Sequence, residues 1–574
     1  MARLASAAAL LAASCAASSV EAPKDAAPRI ETRVAYDPSA RDPAWRVEIR
    51  ARGLAGARDL HLHLEDWGEW MQVDAYYLRD LASDPPLRPR DGARADFDVV
   101  APPGWSGDLR TSYALATAPL GAGARERHGL LPYRAPTYSL GFAANTLMEL
   151  AWDGRPDGLA QTLVVEAPAA WTVATGFAGA SSGRQVATIP VAFGNTVISF
   201  GVPRAVARST EGAFPVEVVQ WGGEEDRSAA LLRFATAYVR ECAASTGSPP
   251  TGPVRLIVAE PGMGGTRVDG AIAIGWPESL DGDGGTLHFV AHEVFHDWLG
   301  GHLRSATGDE SLCWFWEGFT DYLALWHLAK AGLVSRAWFA KRLQSYDEIA
   351  SRVAKRGEVA YASAGVAWRD PEIEPLAYQG SALVAFSIDV ALRRAGREGL
   401  ATIVRDFMNL PGRRYRLADI REWLESHGLA EIWRERFEKP APRTLEADLL
   451  AIGFVERETP EPLTYLGLQL DADGPFGTVA SVDPDGPAAG LVRVGDRVTG
   501  LTPTRERRPR FRADFASSHR FGLDLYDPAA ERVRVDVVRE GERREIWVRP
   551  RVIDGGVLKT LVPDDARVDA FFRP

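Results

Sequence analysis

The chain has 574 residues, 46% of them apolar, and a net charge of −11 from 66 basic and 77 acidic side chains. That apolar fraction supports several packed cores and excludes a disordered or fibrous chain, and the acidic balance, with arginines spread along the sequence, excludes general nucleic-acid binding. Of three cysteines, Cys15 lies near the N-terminus, so Cys242 and Cys313 allow at most one internal disulfide and are expected as free buried thiols.

Arg3, the apolar run Leu4 to Ala13 and the small residues after it read as an export signal over 1–20. Ala12-Ala13-Ser14-Cys15 resembles a bacterial lipobox with Leu11 one position early. The mature protein is therefore expected in the periplasm or cell envelope, either lipidated at Cys15 or released by ordinary cleavage nearby. Membrane contact is expected through that lipid alone, because no later run is long and apolar enough to span a bilayer. A Pro/Ala-rich linker, Val20 to Arg29, follows. From 29 to 206, short alternating runs such as Trp45 to Ala51, Leu60 to Leu64 and Leu163 to Ala167 predict a β-rich N-terminal domain. From about Arg227 the pattern turns helical, interrupted by strands at Val254 to Ala259 and Ala271 to Ile274, and a mainly helical domain is placed over 207–453.

Within it stands His292-Glu293-Val294-Phe295-His296. Helical positions four apart share a face, so His292 and His296 present two imidazoles to one metal ion. Glu293 stands beside the metal rather than on it, where a general base takes a proton from a water whose pKa the metal lowers. Gly300-Gly301 would end this helix. A second helix is predicted from Leu312 to Leu328, with Glu317 set amid Trp314, Phe315, Trp316 and Phe319. A carboxylate in such company is costly unless a cation neutralises it, which makes Glu317 the third ligand. Asp321, one turn later, is placed to accept a hydrogen bond from the outer nitrogen of a ligating histidine and so fix its tautomer. Two histidines and a glutamate point to one Zn2+ per chain. Tyr378 to Val384 opens a further apolar helix.

His292-Glu293-Val294-Phe295-His296 with Glu317-Gly318-Phe319-Thr320-Asp321-Tyr322 resembles the gluzincin metallopeptidases. His296-Asp297-Trp298-Leu299-Gly300 is similar to the HxWxG run of the M1 aminopeptidases, and the EGFTxY run to the M61 glycyl aminopeptidases. Twenty residues, Asp297 to Trp316, separate His296 from Glu317, a longer gap than M1 enzymes carry and one that M61 enzymes tolerate. The resemblance implies a thermolysin-like catalytic domain, peptide or protein substrates, and hydrolysis by metal-activated water. Tyr378-Gln379-Gly380 resembles a Y-x-K-G or Y-K-G segment whose tyrosine donates to the oxyanion formed at the scissile carbonyl, although Gln379 stands where a lysine is usual. Tyr322 and Tyr361 are weaker candidates for that role.

Upstream, Gly262 to Gly270 stands where these families carry a G-A-M-E-N or G-G-L-E-H strand whose glutamate binds the substrate's free α-amine. Aligned on Gly264-Gly265, that position is Arg267, which repels an ammonium and favours a carboxylate. The expectation is an altered amine anchor with Gly264, Gly265 and Arg267 at the substrate. Asp269 restores amine binding if the register differs by two, and a glycine-rich turn carrying an exposed arginine is the plain structural alternative.

Tyr465-Leu466-Gly467-Leu468-Gln469-Leu470 resembles the carboxylate loop and first strand of a PDZ domain, with Leu466, Gly467 and Leu468 as peptide-binding residues. Gly486-Pro487-Ala488-Ala489-Gly490-Leu491 and Val494-Gly495-Asp496-Arg497-Val498 are similar to its later helix and turn, which places the domain at 462–552. M61 proteins combine the two modules in this order, and a C-terminal peptide is the implied ligand. Residues 553–574 form an extension that packs back or stays disordered, Phe571-Phe572 pointing to docking. The fold class expected is thus multidomain α+β: a β-rich N-terminal domain, a mainly helical gluzincin domain and a PDZ β-domain. Two other readings stand beside the peptidase. One is a peptide-binding protein with a residual zinc site, against which the intact Glu293 argues; the other is an M1-like hydrolase of a non-peptide substrate.

Overall fold

The structure is a computed structural model of the chain. It describes residues 27–573 apart from 41–42, 65–77, 91–95, 120–131, 157, 192–195, 210–213, 224, 251, 260–264, 269, 276–284, 308–309, 354–356, 363–369, 371–372, 441–444, 472–476 and 504–531. The export signal with Cys15, and Gly264 and Asp269, lie outside the described residues. The fold is multidomain α+β and separates into two compact units, one of residues 1–236 and 250–282, the other of 237–249 and 283–574.

The first unit is built from sheets. Its largest core forms where alternation is cleanest: along Ala44–Arg52, Trp45, Val47, Ile49 and Ala51 turn inward while Arg46, Glu48, Arg50 and Arg52 turn outward. This strand sits inside a six-stranded sheet between Arg29–Tyr36 and Leu109–Ala116, antiparallel to both. A different pattern governs the five-stranded sheet at 205–275. Val216–Trp221 is buried at every position, as expected of a strand covered on both faces, and it runs parallel to Val254–Ala259, which runs parallel to Ala271–Gly275. The connection between the first two is helix α1 (Ser228–Thr246). Gly265–Val268 is the antiparallel edge strand of this sheet.

The second unit carries four helices that matter for the site: α2 (Gly285–Phe295), α3 (Phe319–Lys330), α4 (Arg336–Ser351) and α5 (Ser381–Arg394). Ser335 caps α4 by accepting from the Trp338 N–H at 3.1 Å. Every residue of α3 from Phe319 to Ala329 is buried, so this helix is the centre of the helical core rather than a surface element. Two of the predicted helices begin differently from expectation. Leu312 to Leu328 is not one uniform helix but a π-turn at Trp314–Gly318 followed by α3, and a second π-turn at Leu376–Gly380 precedes α5.

A two-stranded ribbon, Phe454–Tyr465 with Arg551–Pro563, leads to and from a five-stranded antiparallel sheet between 468 and 548 with its own core of Leu466, Leu468, Val479, Val498, Val535 and Val548. Pro460 and Pro462 flank a register shift in the ribbon, the place a two-stranded edge tolerates them. The chain then packs back on itself: helix α6 (Asp565–Phe571) brings Phe571 and Phe572 into the helical core. Phe572 lies 5.2 Å from Phe339 of α4, stacks at 6.3 Å on Trp326 of α3, and is covered by the Arg336 guanidinium at 3.8 Å.

Candidate metal centre

Helix α2 buries Val290, Ala291, Val294 and Phe295 and carries His288 and His292 on one line that continues to His296, spaced at one residue per helical turn, with Glu293 beside it. The helix stops at Phe295, one residue before the second motif histidine, but the His296 N–H still reaches the His292 carbonyl at 3.2 Å. Gly300, with φ of +101°, closes the turn; a side chain there would stand 3.1 Å from His296 Nδ1. That space lets His296 Nδ1 donate to the Leu299 carbonyl at 2.9 Å. Trp298, fully buried, anchors the turn by donating to the Ser248 carbonyl at 2.8 Å.

Glu317 comes from the first π-turn. Such a turn inserts an extra residue into the helical ladder and re-aims the side chains on it. The Trp316 indole N–H donates to Oε1 of Glu317 at 3.1 Å, which leaves Oε2 to face the histidines. His292 Nε2 and His296 Nε2 stand 2.9 Å apart, and each is 3.3 Å from Glu317 Oε2. Three ligands about 2.0–2.1 Å from one tetrahedral zinc would be separated by about 3.3 Å; both histidine–carboxylate distances match this, and the 2.9 Å between the histidines is shorter.

The chemistry of the donor set points the same way. His292 Nδ1 donates to Asp321 Oδ1 at 3.0 Å and His296 Nδ1 to a carbonyl, so when the rings are neutral both Nε2 atoms are acceptors. Two lone pairs and a carboxylate then converge where nothing donates. Burial works against charge on His292, yet the Asp321 and Glu317 carboxylates outweigh it and raise its pKa well above the ordinary range. Burial likewise opposes ionisation of Glu317, but the two imidazoles hold its carboxyl far below the usual range. The cluster demands positive charge, and among the described residues His292, His296 and Glu317 are the group able to hold a metal ion.

Around these ligands the remaining expected residues take distinct places. Glu293 is buried on α2 between the two histidines in sequence. The Tyr378 ring lies 6.4 Å from the His292 ring at 29° to it, at the second π-turn. Burial, and then the Glu317 and Glu293 charges, raise its phenol pKa strongly, so the hydroxyl keeps its proton. Tyr322 is committed elsewhere, donating to Asp389 Oδ2 at 2.5 Å, and Tyr361 donates to the Leu376 carbonyl at 3.0 Å. Sequence reasoning passed over His288, whose Nε2 donates to the Asp321 carbonyl at 3.1 Å; its spacing four residues before His292 was the available signal. Tyr346, whose hydroxyl is 3.3 Å from the same nitrogen, carried none.

Arg267 and Gly265 lie on the edge strand of the first unit, paired with Ile272 and Ile274. Leu466, Gly467 and Leu468 belong to the C-terminal sheet. Gly467 (φ +77°) packs so closely on Gly486 that a side chain on it would meet the Gly486 Cα at 2.8 Å. The Leu466 and Gly467 carbonyls accept from Ala488 and Asp483 N–H groups at 2.9 and 2.8 Å. Cys242 and Cys313 are free and buried, as expected. Among the described residues no helix is long and apolar enough to cross a membrane.

Residues 285–370 match the family model of the M61 glycyl aminopeptidases, the family that the zinc motif resembles. No curated protein matches the chain significantly. Among solved structures, the crystal structure of an aminopeptidase N family protein from Idiomarina loihiensis aligns over 95% of this chain and 100% of its own, with a TM-score of 0.68 at 14% identity. An M1 zinc metallopeptidase of Deinococcus radiodurans bound to a Tyr-Ser-Ala substrate aligns over 72% of this chain and 94% of its own, with a TM-score of 0.48 at 14% identity. At that identity the first of these establishes a shared fold.

Proposed function

We propose that this chain is a zinc-dependent metallopeptidase of the M61 type that hydrolyses peptide bonds. The observation that carries the reading is the convergence of His292 Nε2, His296 Nε2 and Glu317 Oε2, with Glu293 next to His292 on α2. Zinc, when bound by those three residues, supplies Lewis acidity and lowers the pKa of water to about 7. Glu293 takes the proton of the attacking water and returns it to the leaving amine. Tyr378 keeps its hydroxyl proton and donates it as a hydrogen bond to the oxyanion. Asp321 holds the Nδ1–H tautomer of His292, so Nε2 remains a ligand throughout.

Arg267 stands in sequence where the related families carry the glutamate that binds a substrate α-amine, which supports a changed preference at the substrate N-terminus. The sheet with the Leu466-Gly467-Leu468 loop is read as a PDZ domain that presents substrate C-termini or restricts access to the cleft. Export to the periplasm or cell envelope, with or without a lipid at Cys15, completes the proposal.

The test is hydrolysis of matched peptides with free and acetylated N-termini by zinc-loaded protein, with Glu293→Gln as the blank. Glu293→Gln is expected to retain zinc and lose about 10²–10⁴-fold in kcat. Comparable or better cleavage of the acetylated peptides supports Arg267 as a changed anchor. Cleavage of free peptides alone restores strict aminopeptidase activity. No cleavage by protein that holds one zinc per chain would sink the peptidase reading.

A further inference from the structure

Asp321 does not stand alone behind His292. Its backbone carbonyl accepts from His288 Nε2 at 3.1 Å, and its Oδ1 lies 3.5 Å from the same nitrogen. A carbonyl accepts only from an N–H, so His288 carries its proton on Nε2. That N–H also faces the Tyr346 hydroxyl at 3.3 Å, whose oxygen can only accept from it. Tyr346 keeps its own proton, because burial and then the Asp321 charge raise its phenol pKa well above the ordinary value. The Arg342 guanidinium lies 5.0 Å over the Tyr346 ring, and the His288 ring rests at 6.1 Å from Tyr346 and 6.3 Å from Trp338.

His288 is 2% exposed, in a helix whose other inward positions include Val290, Ala291, Val294 and Phe295. A polar ring in such a place is costly without partners, and an apolar side chain of similar volume would pack there with no such cost. What the imidazole adds is a donor aimed at the residue that orients His292.

We infer that His288 is a positioning residue for the metal centre: with Tyr346 it fixes Asp321, Asp321 fixes the tautomer and ring plane of His292, and zinc affinity follows. The inference rests on the zinc reading above and places its determinant one layer further out than the ligands and Asp321.

The test is zinc affinity, measured by competition with a chromogenic chelator, alongside the thermal midpoint of the zinc-free protein. His288→Phe keeps the ring packing and removes the donor. It is expected to weaken zinc binding about tenfold, the low end of the 10–100-fold effect of outer hydrogen-bond partners, with the zinc-free midpoint unchanged. His288→Gln, whose amide N–H reaches the same carbonyl, should recover most of the affinity. A His288→Phe protein that binds zinc as tightly as wild type, or a His288→Gln protein as weak as His288→Phe, overturns the inference. Should His288→Phe fail to fold, Tyr346→Phe decides: weaker zinc binding supports the relay and unchanged binding overturns it. Wild-type protein that bound no zinc would overturn the metal reading itself and the relay with it.

Discussion

At the scale of single residues, the site separates side chains by what their protons are needed for. His292 and His296 spend their Nδ1 protons on Asp321 and the Leu299 carbonyl, which leaves both Nε2 atoms as acceptors able to hold the proposed ion. Tyr378 does the opposite: burial and two nearby carboxylates keep its phenol protonated, which is the form an oxyanion needs. On the proposed reading, Tyr378→Phe removes one hydrogen-bond donor to the oxyanion and leaves the ring packing in place. Steady-state kinetics should show kcat reduced about 10²–10³-fold with KM little changed and zinc content intact. A large rise in KM at constant kcat would instead make Tyr378 a substrate-binding group.

At the scale of elements, the two π-turns hold each other in register. Gly318 in the first faces Ala377 of the second and Ser381, the first residue of α5, and a Cβ on Gly318 would fall 2.2 Å from Ser381 Oγ and 2.9 Å from the Ala377 carbonyl. Ser381 satisfies the carbonyls that the widened turn leaves open, donating to Leu376 at 2.9 Å and also to Ala377. Gly380 is similarly closed in by the Tyr361 hydroxyl, 2.4 Å from where its Cβ would stand. Glu317 and Tyr378 thus reach the centre on turns whose glycines permit the contact. Gly318→Ala is expected to cost about 1–3 kcal/mol by overpacking, read in urea unfolding, and to weaken zinc binding because Glu317 is displaced. Adding Ser381→Gly should return part of both losses; if it returns neither, the contact between the turns is not the cause.

At the scale of the whole molecule, the C-terminal sheet has a core of its own, distinct from the clusters of the first unit. Its turn at Gly495 is pinned by Asp496, 2% exposed, which accepts from Arg539 Nη2 and Nε at 2.6 and 2.7 Å and from the Arg493 N–H at 2.8 Å. The Arg539 hydrogen bonds hold the Asp496 carboxyl below its ordinary pKa. A depressed carboxyl contributes stability that is complete above the ordinary carboxylate range and lost as pH falls through the depressed value. Asp496→Asn should therefore lower the stability of this sheet by about 1–3 kcal/mol at neutral pH, and the gap to wild type should close in acid. Thermal melts of both proteins from neutral to strongly acidic pH check this; a gap independent of pH would remove the charge from the explanation.

The sequence by itself singled out the candidate ligands and the chemistry proposed for them, because His292, Glu293 and His296 are local: a helix of any packing puts residues four apart on one face. It also determined the strand Val254–Ala259, whose bounds match, and the inward line of Ala44–Arg52, since period-two alternation needs no partner to be read. Glu317 was legible from its apolar surroundings, a cost that only a cation offsets. What the tertiary structure alone decided was everything carried by contacts between distant segments. The π-turns depend on Gly318 meeting Ser381 across the core, and propensity along either segment reads as plain helix. His288 and Tyr346 meet behind Asp321 from separate helices by packing, although His288 also stands one turn before His292 in sequence, and Phe571-Phe572 finds α3 and α4 only once the chain has folded back. Local periodicity records which face of an element is apolar; which other element covers that face is fixed by the fold as a whole.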